Sequence, residues 1–295
     1  MENEYLHPGF IHVLNYTDQE RIRFLHEPRW IGYSKANKII ETMRDLMERP
    51  VKSRMTNLLL VGDPNNGKTT IINRFKELHG KDYVNSESEA VKPVIIVESP
   101  PSADEKGLYI SILEKFWTPY KATAPTNKLR YQVLHLMRQC HVRALVVDEF
   151  HSLLTGTATK QREVMNCIKF LCNELKIPII GVGTLEAIRV LHTDPQHASR
   201  FDVSSLKTWE QNAEFQRLLV SFERILPLKR SSKLHNPELA SLLYSISAGN
   251  IGNLHRLLIE CSIEAINSNT EQITKEIISS KKWLRPTKGI RELKL

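Results

Sequence analysis

Gly62, Asp63, Pro64, Asn65, Asn66, Gly67, Lys68 and Thr69 satisfy the spacing GxxxxGK[ST], and no other feature restricts the chain as tightly. The apolar run Asn57–Val61 leads into the motif, and Ile71, Ile72, Phe75 and Leu78 follow at helical spacing. Strand, glycine-rich turn and helix N-terminus are thus consecutive, the context in which this spacing binds a nucleoside triphosphate. The chemistry demands these residue types. Glycine lets backbone N–H groups close around phosphate oxygens, and the helix N-terminus adds the positive end of its dipole. Lys68 supplies a mobile ammonium for the β- and γ-phosphates, and the Thr69 hydroxyl, with Thr70 beside it, is placed to ligate Mg²⁺. ATP and Mg²⁺ are the expected ligands.

Three more apolar runs follow, Val94–Val97, Ala144–Val147 and Ile179–Val182, with a shorter fifth near Phe201–Val203. Continuous apolar runs separated by helix-like stretches predict strands buried on both faces of a parallel sheet. The intervening helices are expected at 67–79, 104–117, 127–140 and 160–175. Residues 17–49 read as helical, with a break near Glu27 and Pro28, because proline disfavours helix in the residue before it. Beyond Trp209 only helical periodicity remains, at 210–226, 236–247, 252–268 and 271–282. The expected organisation is a helical N-terminal segment (1–50), an α/β core (51–208), a helical lid (209–280) and a basic tail (281–295).

Apolar residues at 41% and charged residues at 25% argue against low-complexity disorder. The acidic first residues and the lack of a long apolar stretch predict neither a secretory leader nor a membrane span, and a cytoplasmic protein is expected. Cys140, Cys167, Cys172 and Cys261 form no CxxC pair and no ligand-spaced set with histidine, so they read as reduced thiols. The net charge of +8 points to a polyanionic partner. Part of it sits at the C-terminus, where Lys281, Lys282, Arg285, Lys288, Arg291 and Lys294 face Glu292 alone. This tail is either a binding element or a solvated end.

The run Ala144–Val147 ends in Asp148 and Glu149. Carboxylates are costly inside a strand, but at its C-terminal end they face the ligand crevice. Asp148 is placed to hold Mg²⁺, and Glu149 to polarise the attacking water as general base. A GTPase would carry an NKxD motif after a later strand, and none is present. His151 completes the pattern DExH without the remaining helicase motifs, so it reads as a hydrogen-bonding neighbour of the acids or as a surface residue. Thr184, after Ile179–Val182, is placed to sense the γ-phosphate and to cap the turn Leu185–Ala187. Arg200, before the last strand, is either a finger acting on a neighbour's nucleotide or the partner of Asp194 or Asp202 in its own subunit.

Together, Gly62–Thr69, Val146–His151, Ile179–Thr184 and Ser199–Phe201 resemble AAA+ ATPases of the initiator type. Arg29–Ala36, Asp148–Gly156, Asn173–Leu175, Gly183–Ala187 and Leu226–Leu228 narrow the likeness to the TniB/TnsC group, ATPase subunits of multicomponent bacterial transposons, and closest to TniB. The resemblance spans about residues 17–270. It implies an AAA+ P-loop core, with a five-stranded parallel sheet between helices, followed by a small all-helical lid. It also implies a bacterial, ATP-dependent, DNA-binding regulator of transposition. Its ATP-bound subunits would assemble into a ring or helical filament on double-stranded DNA, recruit a DDE-type transposase, meet a TniQ-type targeting subunit and disassemble on hydrolysis.

By the same resemblance Trp30 and Tyr33 lie beside the adenine, with ordinary core packing as the alternative. The loops after the second and third strands would face a pore with Lys106, Lys121, Lys128, Lys160 and Arg162. These charges suit phosphate contact without sequence readout, or simple solvation. One departure stands out. Gly252 occupies the place of the lid's sensor arginine, and Arg256, one turn later, is the candidate substitute. The rival reading is a replication-initiator or helicase-loader ATPase.

Overall fold

A computed structural model describes residues 5–52, 54–192 and 198–286, with Trp283 described by its backbone alone. Asp194 and the tail residues Lys288, Arg291 and Lys294 lie outside the described residues. The chain divides into two compact units. One gathers the residues up to Ser34, Asn65–Gly67 and everything from Lys207 onward; the other holds Lys35–Pro64 and Lys68–Leu206. In chain order the helices are α1 (Asp18–His26), α2 (Ser34–Glu48), α3 (Lys68–His79), α4 (Glu105–Glu114), α5 (Thr126–Gln139), α6 (Ala158–Leu175), α7 (Ile188–Leu191), α8 (Ala213–Glu223), α9 (Pro237–Ser247), α10 (Ile251–Asn267) and α11 (Lys275–Ser280). The strands are β1 (Asn57–Gly62), β2 (Tyr83–Val84), β3 (Ala90–Val91), β4 (Val94–Glu98), β5 (Ala144–Asp148), β6 (Ile179–Gly183) and β7 (Phe201–Leu206).

In the unit built around the sheet, the order is β4-β5-β6-β1-β7 and every neighbouring pair is parallel. All five expected strands are therefore present, in an α/β arrangement. Alternation along a strand sends successive side chains to opposite faces. Leu59, Val61, Ile95, Val97, Leu145 and Val147 join one core with α4, α5 and α6. On β1, Leu58 and Leu60 are just as buried, and α3 packs on β1, β4 and β6 through Ile71, Ile72 and Phe75. Two-sided burial of this kind is what the unbroken apolar runs encode.

The β2–β3 hairpin is unexpected: two residues per strand, mostly exposed, carry no readable periodicity. Helix α4 ends three residues short of the expected 117, where Trp117 adopts a left-handed backbone (φ 54°). Helix α11 starts later than the expected 271, because Glu271 is also left-handed (φ 56° at Asn269 and 54° at Glu271) and Thr274 caps the helix through the Ile277 amide.

In the other unit the helical core is built from Trp209, Phe215, Phe222, Leu243, Leu257 and Leu258, joined by Leu25 of α1. Arg21 of α1 is fully buried. Its guanidinium donates to both oxygens of Glu271, at 2.7 and 2.6 Å, to the Pro227 carbonyl at 3.0 Å and to Asp18 at 2.8 Å. Burial pushes the Glu271 carboxyl up, but the Arg21 hydrogen bond, the Lys229 amide and both cations outweigh it and hold the pKa below the ordinary value. Leaving one member of such a pair buried alone costs about 3–5 kcal/mol. Arg21→Met is therefore expected to lower the urea midpoint at pH 7. A depressed carboxylate contributes stability above its unfolded pKa and loses it as pH falls through the folded value. The deficit should accordingly shrink in acid, and an unchanged midpoint at pH 7 would show that the pair contributes nothing.

Candidate nucleotide-binding site

Parallel strands bring Gly62, Glu98, Asp148 and Gly183 to one edge of the sheet, the C-terminal edge where α/β folds bind ligands. Lys68 opens α3, and its half-buried ammonium donates to the carbonyls of Gly62 at 2.9 Å and Asp63 at 2.8 Å. Burial lowers the Lys68 pKa, against the opposing pull of Glu149, Asp148 and Asp63. Although β6 separates β1 from β5, the Thr69 hydroxyl reaches Asp148 and donates to it at 2.8 Å. The second Asp148 oxygen accepts from the Glu149 amide, also at 2.8 Å. Asp148 is buried, whereas the Glu149 side chain is 47% exposed. Thr70, Asp63 and Pro64 are exposed, and Asn66 is buried. The loop turns through left-handed residues, Asn65 (φ 59°) and Gly67 (φ 83°), a conformation that glycine adopts at no steric cost.

These residues fit a triphosphate with a divalent cation. The ammonium is held by carbonyl oxygens that an anion can replace, and a hydroxyl and a carboxylate lie side by side as hard oxygen donors. Among the described residues no group of three or more His, Cys, Asp or Glu could hold a metal. A Mg²⁺ here would keep phosphate and water in its remaining positions.

Thr184 follows β6 and opens the turn Leu185–Ala187, but its side chain does not cap that turn. The main chain does so instead, the Ala187 amide donating to the Thr184 carbonyl at 3.0 Å. The capping expectation is thereby corrected. The Thr184 hydroxyl is buried with no hydrogen-bond partner among the described residues. Arg200 donates to Asn173 Oδ1 at 2.7 Å and forms no ion pair with Asp202 among the described residues.

Lys106 is half-buried in the first turn of α4, while Lys160 and Arg162 are exposed near the start of α6. The connections that lead into these two helices follow adjacent strands and are joined by the Ala103 amide donating to the Thr155 carbonyl at 2.8 Å. Lys121 and Lys128 are exposed, on the α4–α5 connection and the start of α5. They do not belong to that junction by chain position.

In the helical unit, Tyr33 stands edge-on to Trp209, with ring centroids 5.1 Å apart, and burial pushes its pKa up to about 12. Trp30 is half-buried. A side chain at Gly67 would come within 3.9 Å of the Tyr33 hydroxyl. Asn65 accepts at its carbonyl from the Gly252 amide at 3.1 Å and donates from its side chain to Asn253 at 3.3 Å. A Cβ at Gly252 would lie 2.3 Å from Asn65 Oδ1, so any side chain there would require the Asn65 side chain to move. No sequence signal announces this contact. Arg256 is half-buried on the next turn of α10, with no ion-pair partner among the described residues. Of the tail, Lys281 pairs with Glu264 at 2.5 Å, and Lys282 and Arg285 are exposed. No helix among the described residues is long and apolar enough to cross a membrane.

Solved structures with the same fold include the ORC2 protein of Aeropyrum pernix (TM-score 0.63, 13% identity, 90% of this chain and 72% of that one). Cdc6p of Pyrobaculum aerophilum is similar to the same degree (0.63, 13%, 87% and 70%). Domain III of the replication initiation protein DnaA of Thermotoga maritima follows (0.55, 13%, 87% and 95%). At this identity the likeness establishes the fold, which is that of AAA+ ATPases. No curated protein matches the sequence. The family model for the bacterial TniB protein matches residues 21–211, from α1 through the whole sheet, and the chain belongs to the TniB family.

Proposed function

We propose that the chain is an ATP-switched, DNA-binding regulator of transposition. The observation that carries the nucleotide chemistry is the meeting of Thr69 and Asp148 at 2.8 Å beside Lys68 and Glu149. Lys68 exchanges its two carbonyl partners for β- and γ-phosphate oxygens, while Thr69 and Asp148 hold Mg²⁺. The ion, when bound, offsets phosphate charge. Glu149 accepts the proton of the attacking water, the unpartnered Thr184 hydroxyl senses the terminal phosphate, and Arg200 reaches a neighbouring subunit's nucleotide. Tyr33, with Trp30, is the platform for the adenine, and Arg256 is the remaining candidate for the missing sensor arginine.

Membership of the TniB family supports the wider reading. ATP-bound subunits assemble on double-stranded DNA, recruit a DDE-type transposase, meet a TniQ-type subunit and disperse on hydrolysis, in the bacterial cytoplasm. Lys106, Lys160 and Arg162, near the starts of the helices that follow two joined connections, are the foremost phosphate contacts; Lys121, Lys128 and the basic tail are secondary ones. The rival is an initiator or helicase-loader role, which the fold of the ORC2 and DnaA structures keeps in view. Electron microscopy of the chain with duplex DNA and a slowly hydrolysed ATP analogue decides between them. Helical filaments on DNA are expected. Closed hexamers would favour the rival, and no assembly would remove both.

A further inference from the structure

His151 lies in the turn Phe150–Leu154, directly after the acidic pair. Glu149 enters that turn in a left-handed conformation (φ 53°, ψ 37°), uncommon for a residue with a side chain and frequent at functional sites. The turn brings His151 Nε2 to 3.3 Å from the Glu149 carboxylate. Among the described residues the carboxylate has no other side-chain partner. The far side of the imidazole rests on the end of β6, where a Cβ at Gly183 would lie 3.4 Å from His151 Nδ1 and 3.2 Å from its amide. Nδ1 is buried and has no hydrogen-bond partner. A buried N–H without an acceptor is costly, so the ring proton belongs on Nε2, the nitrogen that faces the Glu149 carboxylate.

The turn does not need this contact to form. The Ser152 amide donates to the Glu149 carbonyl at 2.8 Å, the Thr155 amide to the Ser152 carbonyl at 2.9 Å, and Phe150 and Leu153 are fully buried. The imidazole is thus wedged between the strand that ends in Thr184 and the carboxylate assigned to water activation, with one hydrogen bond to give.

We infer that His151 is a positioning residue: braced on β6, it fixes the orientation in which the Glu149 carboxylate receives the proton of the attacking water. The inference rests on the reading of Glu149 as general base. A base that loses its orientation forfeits rate and leaves ground-state binding alone. His151→Ala in the full chain, with Mg²⁺ and duplex DNA, should therefore lower kcat about 10- to 100-fold. KM and the affinity for a fluorescent ATP analogue should stay within about twofold. His151→Gln, which keeps an N–H donor of similar reach, should recover most of the loss. In a Glu149→Gln background, His151→Ala should cause no further loss, because there is no base left to orient.

Wild-type kcat in His151→Ala, or an equal fractional loss in both backgrounds, would overturn the inference. A loss in affinity rather than kcat would do the same. If His151→Ala fails to fold, the comparison of His151→Gln with the wild type decides: near-normal kcat supports the inference and a loss matching Glu149→Gln overturns it. Full turnover by Glu149→Gln alone would instead remove the reading of Glu149 on which the inference stands.

Discussion

Glu149→Gln is expected to bind ATP as the wild type does and to hydrolyse it about 10²–10⁴-fold more slowly, the usual contribution of a positioned general base. The amide keeps the size of the carboxylate and its place at the end of β5, but it cannot accept a proton. Asp148 and Thr69 are untouched, since Asp148 is held by the Glu149 backbone amide and not by its side chain. Nucleotide affinity is therefore predicted to be unchanged in a fluorescence titration while single-turnover hydrolysis collapses. On DNA, assemblies formed with ATP should persist where the wild type disperses. Wild-type turnover in a folded mutant would place the base elsewhere.

Lys68→Ala acts on a different step. In the protein alone, the ammonium already has two carbonyl partners, at 2.9 and 2.8 Å. Binding exchanges those neutral acceptors for charged phosphate oxygens, and each hydrogen bond to a charged group contributes about 1.5–3 kcal/mol. Two such bonds, reduced by the partners given up, correspond to about a hundredfold loss of ATP affinity or more. Because the lysine ties the loop to its own carbonyls, removing it should also raise hydrogen exchange across residues 62–69. Unchanged affinity in calorimetry would take the Lys68 ammonium out of the mechanism. Thr69 and Asp148 would then have to account for binding by themselves.

The ends of the chain show what a local reading misses. Asn57–Val61, Ala144–Val147 and Ile179–Val182 declared their strands because burial on both faces demands apolar residues in unbroken succession, and that pattern is complete within five or six positions. The phosphate loop was equally legible, since its spacing is set by the geometry of a single turn. The place of Glu149 after the strand was legible, and its left-handed backbone was not. Arg21 and Glu271 are 250 residues apart, and nothing in either neighbourhood names the other. Only the packing of α1 with the C-terminal helices makes them a buried pair.

The same holds for smaller decisions within the site. Thr184 reads as a cap in sequence, but the backbone carbonyl caps the turn and leaves the hydroxyl without a partner. His151 reads as either a neighbour of the acids or a surface residue, and the approach of β6 through Gly183 turns its ring toward Glu149. Gly252 reads as a missing arginine, and the Asn65 side chain lies against it, so a larger residue there would have to displace that side chain. In this protein the sequence alone determined the five strands of the parallel sheet, the phosphate loop and the acidic pair, because each depends on residues within one element. Tertiary structure decided the partners of polar atoms, because a hydrogen bond needs a donor and an acceptor whose meeting depends on how separate elements pack.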